Sequence, residues 1–235
     1  MDFGRYVFEA PYFGWLCRGV LMTLTIGVMS GLLAIVIGSV LLRCHISTHR
    51  TLRGLAIGFV ALFRNLPLLP LLLFLTFALP GIWQRVSGRP LIRGLELYLL
   101  LLGLALNTGA YLAEIFRAGV SAVPAQQFEA GRSLGLPPNR IRRRIIYPQA
   151  MRIIAPALTS RLIHNMKNST LALIVPLPVQ MMEVVGQAGR IAGQTFSWAE
   201  PLVFAACVHL LLALGLGRSL NRWATREQAR IEGTL

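Results

Sequence analysis

The chain alternates long apolar stretches with short polar ones that carry arginine. Residues 19–42 hold no charge and few polar groups. As a helix this stretch would run roughly 36 Å, enough to cross the hydrocarbon core of a bilayer with some tilt. Further apolar stretches lie at 55–79, 95–116 and 201–220. A fifth, "PALTSRLIHNMKNSTLALIV" at 156–175, is apolar in its second half. Its first half carries Arg161, His164, Asn165, Lys167, Asn168 and Ser169. It is too polar to read as a lipid-facing span and too apolar for a loop. A span facing a cavity or another helix fits both properties. The pattern predicts an all-α integral membrane protein of five transmembrane helices. They form one domain over 1–235, with a long polar insert at 117–152.

Two spans contain irregularities. "FRNLPLLP" puts Arg64 beside Pro67 and Pro70 within 55–79. Either Arg64 lies at the membrane surface and the span begins late, or the helix is broken there for function. The first reading is favoured, because a basic loop lies just upstream and a long Arg side chain can snorkel. In the third span, Glu114 precedes Arg117 by three residues, which suits an ion pair on one helix face.

Composition agrees with the pattern. The chain has 235 residues, 55% hydrophobic and 14% charged, with a net charge of +14; soluble domains carry about 25% charge. All but one of the basic residues are Arg, and Lys167 is the exception. Fourteen Arg fall in 43–53, 117–152 and 218–230, which share one side of a five-span chain. The opposite side has far fewer, Arg5, Arg85, Arg89, Arg93 and Arg190 among them. The positive-inside rule then places the N-terminus outside and the C-terminus in the cytoplasm. This accounts for the basic excess, and no aromatic stacking platform interleaves it, so nucleic acid is excluded as a partner. The start, "MDFGRYVFEAPYFG", lacks the features of a cleaved signal peptide. Cys17, Cys44 and Cys207 are far apart and read as unpaired thiols. Cys44, His45 and His49 cluster, but a fourth ligand and a zinc-like spacing are missing, so no metal is assigned.

The insert contains "AQQFEAGRSLGLPPNRIRRRIIYP". Pro124 suits the first turn of a helix and Gly135 its end. Pro137 and Pro138 forbid continuation. Asn139 is a candidate N-cap for a second short helix that ends before Pro148. Ala130, Gly131 and Gly135 give the first helix a small-residue face, with Phe128 and Leu134 as apolar anchors. Such a helix suits docking into a groove. It equally suits packing on its own subunit, and the residues alone leave the two open.

"EAGRSLG" followed by "IIYP" resembles the signature of ATP-binding-cassette importer permeases, which runs Glu-Ala-Ala, three residues, Gly, nine residues, Ile-x-Leu-Pro. Here Glu129, Ala130, Gly131, Gly135, Ile145, Tyr147 and Pro148 fill it at full spacing. Gly131 replaces the second Ala and Tyr147 the Leu. "FRNLPLL", "AEIFRAGVSAVPAQQ", "YPQAMRIIAPAL" and "KNSTLA" are similar to the polar amino-acid uptake branch of these permeases. The resemblance implies that Phe128, Glu129, Ala130, Gly131, Leu134 and Gly135 dock on a separate ATPase subunit. It also implies a bacterial inner-membrane complex with two such ATPases and a second permease, identical or homologous. A periplasmic or lipid-anchored binding protein would deliver the substrate. ATP and Mg would belong to the ATPase, with no cofactor in this chain. Independently, a phosphate-binding loop needs Gly-Lys-Ser/Thr, and Lys167 is followed by Asn168. The chain is therefore not itself an ATPase.

Arg161, His164, Asn165, Lys167, Asn168 and Ser169 are candidate pathway residues. An amino-acid carboxylate would pair with Arg161 or Lys167 in a low-dielectric cavity. The competing reading is that they satisfy one another or a partner permease. "FRN…P" with "KNS" leans toward importers of glutamate, aspartate or their amides. The alternative function is a stand-alone channel or scaffold in membrane lipid whose basic loop binds anionic headgroups.

Overall fold

The computed structural model describes residues 4–90 and 94–232, the side chains of 6, 221 and 223–232 excepted. Arg93 therefore lies outside the described residues, as do the side chains of Arg226 and Arg230. The described chain is helical, without strands. A π-helical turn at Gly4–Phe8 precedes α1, Tyr12–His45. Then come α2, Arg50–Asn65, and α3, Leu68–Ser87, followed by α4, Glu96–Ala122. A short α5, Ala125–Ser133, leads to α6, which runs helically from 138 to 168. A 3-10 stretch, Ser169–Ile174, continues α6. Helix α7, Val184–Thr195, and α8, Ala199–Glu232, complete the chain.

Among the described residues, four helices are long and apolar enough to cross a membrane: α1, α3, α4 and Ala199–Leu220 of α8. Of the most apolar window of α4, 72% is buried, against 33% for α1 and 22% each for α3 and α8. Helix α4 is thus the central post, with the others around it. Its approach to α1 is close because both helices carry Gly at the crossing. A Cβ on Gly38 would lie 2.9 Å from the Leu112 Cβ, and one on Gly109 would lie 2.8 Å from Ile37. The outward face of α1 keeps Leu21, Leu32 and Val36 exposed. In a bilayer these meet lipid, so their exposure carries no hydrophobic penalty.

Several expected boundaries shift. The stretch 55–79 is not one helix: α2 ends at Asn65, Leu66 and Pro67 are extended, and α3 begins at Leu68. The chain takes this form because Pro67 disfavours helical geometry at Leu66 and denies the next turn a donor. The helix is broken at Leu66 and Pro67 and a new one begins after them, which is compatible with both readings of this stretch. The carbonyls freed at the end of α2 are met from α4. The Asn107 side-chain amide donates to the Phe63 carbonyl at 2.9 Å, and the Tyr111 hydroxyl to the Arg64 carbonyl at 3.2 Å.

The second short helix of the insert does not stop before Pro148. It starts with Pro137 at the cap position, not Asn139, and continues through Pro148 and Pro156 into the polar span. A π-turn over Arg142–Ile146 makes this possible. There the Tyr147 N–H reaches back to the Arg142 carbonyl, one residue further than in an α-helix. The widened turn takes up Pro148, which has no N–H to give. The segment after Pro176, read from sequence only as a loop, contains α7.

Candidate functional site

Polar residues of α6 divide by face. On the inward face, Asn165 is buried, with both amide donors used and its oxygen accepting once. Nδ2 donates to the Gly27 carbonyl at 3.0 Å and to Ser30 Oγ at 2.9 Å, and Oδ1 accepts from Thr108 Oγ1 at 2.9 Å. One turn earlier, Arg161 donates to Asn107 Oδ1 at 2.7 Å and lies over the Tyr111 ring, 3.8 Å from its centroid. The guanidinium of Arg64 approaches the same ring at 5.4 Å. One amide, a hydroxyl and a π-face hold Arg161, and among the described residues no carboxylate pairs with it. Ser169 is buried and returns its hydroxyl to the Met166 carbonyl at 2.7 Å.

The outward face is different. His164 and Lys167, three residues apart, are exposed, and Asn168 is half-buried. The six candidate pathway residues therefore do not form one cluster. Arg161 and Asn165 tie α6 to neighbouring helices and Ser169 bonds back within its own segment, while His164 and Lys167 face away from the bundle. Asn107, Thr108 and Tyr111 of α4 and Ser30 of α1 join Arg161 and Asn165 at this site. Their signal was a hydroxyl or amide at a helix position surrounded by apolar residues, which is costly unless paired.

The α5 helix also has two faces. Gly131 is buried, and a Cβ there would lie 2.9 Å from Ile141 Cγ1. Phe128 packs with Val123, Ile141 and Ile146. These two expected docking residues thus turn inward and seat α5 on the start of α6, which is why Gly replaces Ala at 131. Glu129, Ala130 and Leu134 turn outward, and Leu134 is 77% exposed. Gly135 has φ +71°, a left-handed geometry suited to Gly. Its N–H bonds the Arg132 carbonyl and the Leu136 N–H bonds the Gly131 carbonyl, which closes the helix end. The expected ion pair between Glu114 and Arg117 is present at 2.5 Å.

A further buried acid, Glu183, escaped the sequence reading. Its carboxylate caps α7, accepting from the Val185 and Gly186 N–H groups at 2.8 Å each. Thr23 of α1 accepts from the Val184 N–H at 3.1 Å, tying the same turn to the bundle. Burial pushes the carboxyl up to about 7, against the two backbone donors and Thr23, which favour its charged form. An acid just before a helix was the available signal.

Residues 30–226 match the family described as binding-protein-dependent transport system inner membrane component. The chain belongs to that family. Among relatives of these permeases, it is 30% identical over 225 residues to the arginine transport system permease protein ArtQ of Bacillus subtilis, covering 94% of this chain and 96% of the relative. It is 31% identical over 208 residues to the putative glutamine transport system permease protein GlnP of Rickettsia bellii, with 87% and 89% covered. Its fold matches a crystal structure of an amino acid ABC transporter with histidines. There the TM-score is 0.78 and the identity 26%, with 92% of this chain and 95% of the other covered. The inward-facing MetNI methionine transporter matches in fold at TM-score 0.72 and 22% identity, with 93% of this chain and 99% of the other covered. The resemblance to importer permeases of the polar amino-acid branch is thereby established, and permeases of this family are not themselves the ATPase.

Proposed function

We propose that this permease forms part of the translocation pathway of an ATP-driven amino-acid importer and takes its energy from a separate ATPase seated on α5. The observation that carries this reading is the locked presentation of α5. Gly131 and Phe128 fix it against Ile141, while Glu129, Ala130 and Leu134 stand free. The fixed contact is with the first turn of α6, and α6 continues into the polar span. A push on α5 therefore reaches Arg161 and Lys167 along one helix. Two ATPases holding ATP and Mg, a second permease and a binding protein complete the complex.

In this reading the chain crosses the membrane five times, with the 3-10 stretch extending α6 across, and has its N-terminus outside and its C-terminus in the cytoplasm. The substrate is a polar amino acid. Arg161 without a carboxylate partner and exposed Lys167 favour a ligand that brings a carboxylate, and the same cations favour glutamate, aspartate or their amides over a cationic side chain.

The test is the double variant Glu129→Arg with Leu134→Asp, both on exposed positions. Membranes should retain the permease and lose the ATPase subunit on co-purification, with uptake abolished. Normal co-purification and normal uptake would remove α5 from the docking role. Competition among labelled amino acids, using the cognate binding protein, ranks the substrates.

A further inference from the structure

At the loop-side end of the bundle, two cavities share a wall. One, of about 690 Å³, is basic: Arg43, Arg142 and Arg143 line it together with Asn139 and Tyr147, and no acid does. The other, of about 290 Å³, is mainly apolar, with Phe116, Val120 and Met151 in its lining. Arg43 and Tyr147 belong to both. The apolar cavity climbs from Arg43 to Ile35 on α1, roughly 12 Å along the helix axis. It therefore rises into the apolar part of the bundle, while the basic cavity opens among loop residues.

We infer that these joined cavities form a binding site for one anionic phospholipid, with the phosphate among Arg43, Arg142 and Arg143 and an acyl chain along Phe116 and Val120. Charge complementarity selects the headgroup, because three guanidinium groups converge without an acid to neutralise them. The adjoining apolar cavity, which shares Arg43 and Tyr147 with the basic one, selects a lipid over a free anion, which would leave that cavity unfilled. It also selects lipid over an acidic protein surface, which would reach only the basic part. The site lies apart from the exposed face of α5. It rests on the membrane placement of the bundle and not on the docking assignment.

The test is native mass spectrometry of the detergent-purified permease with added phosphatidylglycerol or phosphatidylcholine. The wild-type chain should retain phosphatidylglycerol preferentially. Arg142 and Arg143 are exposed, so R142Q/R143Q should fold and lose at least about tenfold of that preference. Adding R43Q should abolish it. Ser39→Phe, which fills the apolar cavity without touching a charge, should also reduce phosphatidylglycerol retention. Any of three results would overturn the assignment. R142Q/R143Q could retain phosphatidylglycerol as well as the wild type. Inorganic phosphate could displace the lipid, with Ser39→Phe indifferent, which marks a free-anion site. The Arg variants could keep the lipid but lose the ATPase subunit, which marks a protein interface.

Discussion

The two faces of α6 carry polar residues in opposite states. Asn165 has spent both donors of its amide and one acceptor position on α1 and α4. Lys167, two residues on, stands exposed on the other side of the helix. Arg161 lies between these extremes, bonded to amide and hydroxyl but without an opposite charge. A polar residue within a span is therefore not one kind of object. Where its bonding capacity is used within the chain, it fixes how helices pack. Where capacity is left over, it is available to something that arrives. The comparison divides the polar span into a structural face and a receptive face, and each can be broken separately.

The largest effect should come from the structural face. Asn165→Leu removes three hydrogen bonds at once and leaves the Thr108 hydroxyl without its acceptor. Each such bond is worth about 1 kcal/mol and the orphaned buried hydroxyl costs about another 1, so the loss should be about 4 kcal/mol. Thermal unfolding of the purified permease in detergent should show a much lower midpoint, with uptake falling only because folded protein is lost. An unchanged midpoint would mean that the network does not hold α1, α4 and α6 together.

Glu183 offers a second, pH-dependent break about one turn along α1, where Thr23 meets the start of α7. Its folded carboxyl titrates at about 7, above the ordinary value of 4.5. The folded state therefore binds the proton more tightly than the unfolded one. This contribution to stability is complete below pH 4.5 and is lost as pH rises to about 7. The shift corresponds to about 3 kcal/mol over that interval. Glu183→Gln, which keeps an oxygen for the α7 cap, should flatten the decline. Equal slopes for the wild type and Glu183→Gln across pH 4.5–7 would show that the carboxyl is not held neutral by burial.

What the sequence revealed follows the same division. Long apolar helices were legible because a lipid-facing or buried helix must exclude charge over its whole length, as 19–42 does. The turn at Gly135 was legible because one residue type suits that backbone. Glu114 and Arg117 were legible because their spacing alone brings them together. The run of α6 through Pro148 was not, because the π-turn that admits the proline depends on how Ile141 and Ile146 pack. Nor was the inward turn of Gly131 and Phe128, since a small-residue face serves a partner and the chain's own α6 equally well. The faces of the polar span were hidden for a similar reason. Asn165 and Lys167 look alike in sequence, and only Ser30 and Thr108, contributed by two other helices, distinguish them.

The receptive face should give the smallest effect on stability and a clear one on transport. His164 and Lys167 make no side-chain bond that the fold depends on, so His164→Ala and Lys167→Ala should each change stability by no more than about 0.5 kcal/mol. Uptake should nevertheless fall, with ATPase co-purification intact, because a carboxylate arriving at the exposed face of α6 would lose its cation there. Lys167→Arg should restore part of the activity, since charge is kept while geometry changes. Arginine rescue separates a charge role from simple packing. Unimpaired uptake in Lys167→Ala would remove Lys167 from the substrate role and turn attention to Arg161. A stability loss as large as that of Asn165→Leu would instead erase the distinction between the faces.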